Sequence, residues 1–240
     1  MIPLSATAVG VVIPARDEEL LLGPCLQALA AAMDQTLLMG VAEVRTVVVL
    51  DCCSDRSREI ARREAGRRGR QLTVIETEVG NVGRARRLGT DWLLLRFAAR
   101  RAGDVWLATT DADSLVPPCW LTHQLAQRDR GIDAWAGTVV VHDWPDRPAE
   151  LPAFFQAGYA RHPTGHVHGA SLGCRADVYL RAGGFPGIET GEDHGLWRRL
   201  GAVGARRMHD ANCPVRTSGR RQGRAPHGFA AAIDELEGQL

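Results

Sequence analysis

Lysine is missing altogether: every one of the 29 basic residues in this chain of 240 is arginine. That excludes chemistry resting on a lysine amine, such as a Schiff base or a P-loop. Any phosphate clamp must come from guanidinium groups, backbone N–H groups or a metal. Neither sign of charge dominates. With 28 acidic residues the formal net charge is +1, so no nucleic-acid partner is expected. No C-x-x-C pair occurs among the six cysteines at 25, 52, 53, 119, 174 and 213. That removes zinc spacing and, in a chain this long, a disulfide framework. The N-terminus has no basic n-region or cleavage site, and no apolar run reaches the roughly 18–20 residues of a membrane helix. A cytoplasmic location is expected, with surface contact to a membrane left open.

What is present alternates. Four nearly continuous apolar runs, at 8–14, 45–51, 71–77 and 104–111, read as parallel strands covered on both faces. Helical periodicity separates them. Leu22, Leu26, Leu29 and Met33 recur from Glu18 onward, and Leu88, Trp92, Leu95 and Ala99 recur in 83–101. Residues 54–68 are Arg-rich and predict an exposed helix. The pattern is an α/β fold of the open, Rossmann-like kind with a mostly parallel sheet. Further on, 134–143 reads as a strand, while helices are expected near 153–162, 175–183, from Asp193 and at 229–237. Neither a repeat nor a sharp composition break divides the chain. The expected organisation is one domain over 1–240, with a nucleotide-binding half to about 115 and an acceptor half from about 116.

Three strands end in polar clusters, "PARDEE" (14–19), "DCCSD" (51–55) and "TDADS" (110–114). Ligands of open α/β sheets bind beyond the carboxyl ends of the strands, so these clusters converge on one rim. No G-x-G-x-x-G follows the first strand and no G-x-x-x-x-G-K-[ST] occurs, which disfavours dinucleotide enzymes and P-loop NTPases. Asp111 and Asp113, spaced i, i+2 at a strand end, suit a shared hard cation that binds a diphosphate on its open side. The same D-A-D-S stretch also suits a turn or a helix cap.

The segments "VVIPARDEELLLGPCLQAL", "VVVLDCCSDRS", "GNVGRARRLG", "TTDADSLVPPCWL", "GGF" and "GEDHGLWRRL" occur in an order that resembles the family 2 glycosyltransferases of the GT-A fold, over roughly residues 8–225. The resemblance implies that Pro14, Ala15, Arg16 and Glu18 contact base and ribose, and that Asp51 recognises the nucleobase edge. It also implies that Arg84 and Arg86 supply the donor-site basic residue. Asp111, with Ala112 between, would face the ribose or metal, and Asp113 would ligate the metal directly. Asp193 resembles the general base, with Glu192 beside it, and Arg220 and Arg221 fall where a mobile segment closes over the diphosphate. His209 is a further candidate for the metal shell, alongside the reading of a satisfied surface histidine; His227 has the same ambiguity.

The resemblance implies an inverting enzyme, dependent on Mn²⁺ or Mg²⁺. It moves one sugar from a nucleoside-diphosphate sugar, of the UDP or GDP type, to a hydroxyl acceptor. These residue types fit that chemistry: a base for the hydroxyl, and positive charge at the departing diphosphate. A donor with a good leaving group needs no second protein acid, unlike a glycosidase. Asp17 stands where family members usually carry Asn. The Q-x-x-R-W signature of polymer-making members is absent, which favours addition of one sugar. Two other readings stay open, a non-catalytic nucleotide-sugar binder and a sugar-phosphate nucleotidyltransferase. The second expects a Gly-rich loop and a Lys that this chain lacks. The H-x-H of His166 and His168, near His162, is read as lining the acceptor pocket, with zinc as the remoter alternative.

Overall fold

The structure is a computed structural model that describes residues 4–161, 165–221, 223 and 228–240, apart from the side chains of Ser5, Ala160 and Arg161. Strands β1 (Ala8–Ala15), β2 (Glu43–Asp51), β3 (Leu72–Thr77) and β4 (Val105–Thr109) form where the apolar runs predict them. Helices α1 (Leu22–Leu38), α2 (Ser57–Arg68) and α3 (Val82–Arg96) separate them. Then follow β5 (Ser114–Leu115), α4 (Trp120–Asp129), β6 (Ala134–Asp143), α5 (Leu151–Arg161), β7 (Leu172–Arg175), α6 (Ala176–Arg181), α7 (Glu192–Ala202), β8 (Arg207–Ser218) and α8 (Phe229–Glu237).

All eight strands join one sheet in the order β3-β2-β1-β4-β7-β6-β8-β5. The first three neighbouring pairs and β6–β8 are parallel, whereas β4–β7, β6–β7 and β5–β8 are antiparallel. Parallel strands buried on both faces need apolar side chains in both directions, and β1 supplies them. Val9, Val11 and Ile13 pack on one side with Leu22, Leu26 and Leu29 of α1, while Ala8 and Val12 pack on the other with Leu93 and Phe97.

Helix α3 lies unusually close to the sheet. A Cβ at Gly89 would stand 2.7 Å from Val12 Cγ1 and 2.9 Å from Val49 Cγ2, so only glycine admits this approach. The closeness brings Arg86, one turn earlier, to the strand ends.

Several expectations are corrected at their edges. The first helix begins at Leu22 and not near Glu18. The Glu18 N–H donates to Ser57 Oγ and the Glu19 N–H to Asp55 Oδ2, so side chains from the β2–α2 loop and the first residue of α2 hold these amides outside the helix. Pro24 then sits in the first turn, where its missing N–H costs nothing. The 83–101 helix stops at Arg96. Strands β5, β7 and β8 and helix α4 form where no element was expected. The Arg-rich α2 is a solvated face. Arg58 and Arg62 pair with Glu76, Arg67 with Glu64 and Arg68 with Asp34, contacts worth about 0–1 kcal/mol each at the surface. Among the described residues no helix is long and apolar enough to cross a membrane.

Candidate active site

Beyond the carboxyl ends of β1, β2 and β4 opens a cavity of about 640 Å³, within the range usual for ligand sites. The strand ends contribute Pro14, Ala15, Arg16, Glu18, Asp51, Asp111, Ala112 and Asp113; α3 adds Arg86 and the first turn of α7 adds Glu192 and Asp193. Arg220, just past β8, closes the side toward α8. Twelve of the residues expected from the sequence therefore meet around one space.

Two arginines organise its carboxylates. Arg86 is buried; its Nε donates to Glu192 Oε1 at 3.0 Å, its Nη2 to Asp111 Oδ1 at 2.5 Å, and its Nη1 to Thr109 Oγ1. A Cβ at Gly169 would lie 2.2 Å from Arg86 Nη2, so a glycine there makes room for the guanidinium. Burial works against the charge, but Asp111 and Glu192 outweigh it and hold the Arg86 pKa above its ordinary range. Arg220 grips both oxygens of Glu18 and reaches Asp113 Oδ2 at 3.0 Å.

The remaining carboxylates are aimed by backbone. Asp51 accepts from the amides of Gly80 (3.0 Å) and Asn81 (2.9 Å), which fixes the loop into α3. Asn81 caps that helix, its Oδ1 accepting from the Arg84 N–H at 2.9 Å. Asp193 stands in the first turn of α7; its Oδ2 accepts from Gly169 N–H at 2.8 Å and its Oδ1 from His194 N–H at 2.7 Å. Burial raises the pKa of Glu192, with Arg86 opposing. Burial likewise raises Asp113, with Asp111 adding to the shift and Arg220 opposing it.

Three expected residues stand apart. Arg84 is exposed on the outer face of α3 and Arg221 pairs with Glu237 Oε1 at 2.6 Å; neither lines the cavity. His209 donates from Nδ1 to the His166 carbonyl at 3.0 Å and packs edge-on against Trp197, also away from the cavity. His162, Gln222 and His227 fall outside the described residues. His166 and His168 line the same cavity, where Tyr159 stacks on His166 and hydrogen-bonds His168 Nε2 at 2.8 Å. Burial lowers the His168 pKa to about 4, so this ring is neutral near pH 7. Among the described residues only Asp17, Cys53 and Asp55 form a three-residue set within reach of one ion. Asp17 Oδ1 is already taken up by Ser54, and Asp55 by the amides of Glu19 and Ser57. Sequence reasoning missed Asn81, Tyr159 and Gly169; the asparagine was legible as a helix cap before "VGRARRL".

The sequence matches the profile described as Glycosyl transferase family 2 over residues 10–176, a span from β1 through β7 that holds the Asp111–Asp113 pair. The chain belongs to glycosyl transferase family 2. Its architecture is the GT-A fold seen in solved glycosyltransferases. TarS 1–349 of S. aureus, in complex with UDP-GlcNAc, superposes with a TM-score of 0.65 at 15% identity, covering 96% of this chain and 65% of that one. The mannosyltransferase PcManGT of Pyrobaculum calidifontis, in complex with GDP-Man and Mn²⁺, gives 0.63 at 21% identity, covering 90% and 58%. Glucosyl-3-phosphoglycerate synthase of Mycobacterium tuberculosis, in complex with Mn²⁺, UDP and phosphoglyceric acid, gives 0.58 at 13% identity, covering 98% and 76%. The chain thus spans about two thirds of the TarS fragment. No curated protein sequence is detectably similar to it.

The family 2 cavity carries its own argument about cations. Its described lining holds seven carboxylates, Glu18, Asp51, Asp111, Asp113, Glu189, Glu192 and Asp193, against three guanidiniums, Arg16, Arg86 and Arg220. A diphosphate entering that surplus of negative charge needs a cation with it. Hard oxygen donors from Asp111 and Asp113 suit Mn²⁺ or Mg²⁺.

Proposed function

We propose that this family 2 chain transfers one hexose-type sugar from a nucleoside-diphosphate sugar, UDP- or GDP-linked, to a hydroxyl acceptor, with inversion at the anomeric carbon. The observation that carries the reading is that one cavity is lined both by the Asp111–Asp113 pair and by Asp193, which stands beside the His166–His168 loop. The solved relatives bound to UDP, UDP-GlcNAc and GDP-Man support the donor class.

Asp193 takes the proton from the attacking hydroxyl. Its carboxylate is steadied by the Gly169 and His194 amides, so it meets the acceptor without rearranging. Asp113 and Asp111 would hold the divalent cation, which when bound neutralises the departing diphosphate. Arg86 fixes Asp111 and Glu192 relative to each other, and Glu192 thereby serves the arginine rather than the proton. Asp51 orders the loop at the nucleoside end. One base facing one leaving group gives inversion. A non-catalytic binder would have no use for Asp193, and a nucleotidyltransferase would need the missing lysine.

The test is calorimetric titration with UDP, GDP and dTDP, each with and without Mn²⁺. Metal-dependent binding of one of them is expected, and it should be lost in Asp113→Ala. A folded protein that binds none of the three nucleotides would sink the proposal.

A further inference from the structure

All six cysteines are free thiols, and only Cys119 is exposed. Its Sγ lies 3.5 Å from Sγ of Cys213, a buried residue 94 positions away. We propose that Cys119 and Cys213, neither of which lines the sugar-nucleotide cavity, form a reversible oxidation site in which peroxide converts the two thiols to a disulfide.

The backbone already holds the two thiols face to face. Cys119 occupies the position just before α4, its thiol making no capping hydrogen bond. One turn on, His123 Nε2 bonds Asp210 Oδ2 at 2.7 Å, and Asp210 also accepts from Trp135 Nε1 and from the Asn212 backbone amide and side chain. Helix α4 and strand β8 are therefore tied together beside the thiols by bonds that do not involve sulfur. Cys213 itself sits where β8 leaves register: Asp210 pairs with Gly137 and the next pairing is Val215 with Val139, so residues 211–214 bulge out. The sulfurs must close from 3.5 Å to the ~2.05 Å of a disulfide.

The order of events follows from the surroundings. Cys119 is open to solvent, so peroxide reaches it before the buried Cys213. Burial, then the neighbouring Cys119, raises the pKa of Cys213, which keeps it a thiol. Cys119 thiolate attacks one peroxide oxygen, the O–O bond breaks, and sulfenic acid and hydroxide form. Cys213 then gives up its proton and attacks the Cys119 sulfur; the S–S bond forms and the sulfenic oxygen leaves as water. Two thiols are oxidised by two electrons in all, and one peroxide is reduced to two waters. Pairing diverts Cys119 from irreversible sulfinic and sulfonic acids.

The absence of lysine makes the test clean. Trypsin cuts only after arginine, so Cys119 falls in peptide 102–128 and Cys213 in peptide 208–216, each with one cysteine. The full chain is treated with hydrogen peroxide, alkylated with N-ethylmaleimide after unfolding, and digested without reductant. The expected result is a cross-linked 102–128/208–216 species that dithiothreitol removes and that is missing from Cys119→Ser. In Cys213→Ser, Cys119 should instead advance to sulfinic acid. Alkylated Cys213 in the treated wild type, with Cys119 over-oxidised or bridged between two molecules, would overturn the proposal.

Discussion

Arg220 holds Glu18 by a two-pronged ion pair, Nη1 to Oε2 at 2.7 Å and Nη2 to Oε1 at 2.6 Å, and with the same Nη2 it reaches Asp113. A chain segment 202 residues downstream thus lays a cation against the carboxylate that the family 2 reading gives to the metal. Guanidinium and divalent ion compete for one charge. Arg220→Ala should raise Mn²⁺ affinity in the absence of nucleotide by about tenfold, equivalent to about 1.4 kcal/mol. Titration of Mn²⁺ followed by electron paramagnetic resonance measures it, and an unchanged affinity would show that the two cations do not share Asp113.

Asp193→Asn removes the base but keeps the shape. Sugar transfer should fall about 10²–10⁴-fold, while calorimetry should show nucleotide binding within a factor of two or so of wild type. A variant that still turns over near the wild-type rate would assign the proton to another group.

Replacing Arg86 by methionine strands two partners at once. Glu192 is 6% exposed and cannot turn to water, so the expected loss is about 3–5 kcal/mol of unfolding free energy. Urea denaturation reads this directly. A loss below about 1 kcal/mol would mean that the carboxylates protonate or rehydrate at little cost.

Gly89→Ala sets two effects against each other. Alanine gains about 0.8–1.0 kcal/mol in helix propensity, but its Cβ would meet Val12 and Val49 at 2.7 and 2.9 Å. Overpacking of a tight core costs about 1–3 kcal/mol, so the clash wins or at best balances. The melting temperature should not rise, and a clear increase would contradict the close α3–sheet contact.

His168 supplies a pH dependence. Its folded pKa is lowered to about 4, by burial first, with His166 and His194 adding and Asp193 and Asp111 opposing. Between pH 4 and 6.5 the unfolded chain binds the proton and the folded one does not, so this group makes stability fall as pH falls through that window. Asp113 and Glu192, whose pKa values are raised, act in the opposite sense. The difference between wild type and His168→Gln isolates the histidine. The wild type should lose more stability than the variant on going from pH 7 to pH 5, and parallel curves would refute the neutral buried ring.

Much of the first half of the chain was legible because burial on both faces leaves no alternative to long apolar strands. Polar clusters at their ends then marked the rim, and Asp51, Asp111 and Asp113 do meet there. Strand β7 was not legible because four residues, "LGCR", show no period. Strand β8 carries Pro214 and a bulge, so its alternation breaks in the middle. Helix α4 begins directly after "VPPC", a stretch that reads as a turn. Nothing in the composition paired Cys119 with Cys213 across 94 residues.

"GRAR" shows where the division falls. The order of motifs in the sequence, through its resemblance to family 2, implied that an arginine from this helix start would serve the site. It could not choose between Arg84 and Arg86, because residues two apart on a helix point to nearly opposite sides. Tertiary structure decided. The approach at Gly89 fixes the rotation of α3 against β1 and β2, turning Arg86 to the carboxylates and Arg84 to solvent. Arg220 and Glu18 illustrate the same limit at longer range. Local pattern sets which groups a strand end or helix start presents, whereas the packing of distant segments sets which charges finally meet.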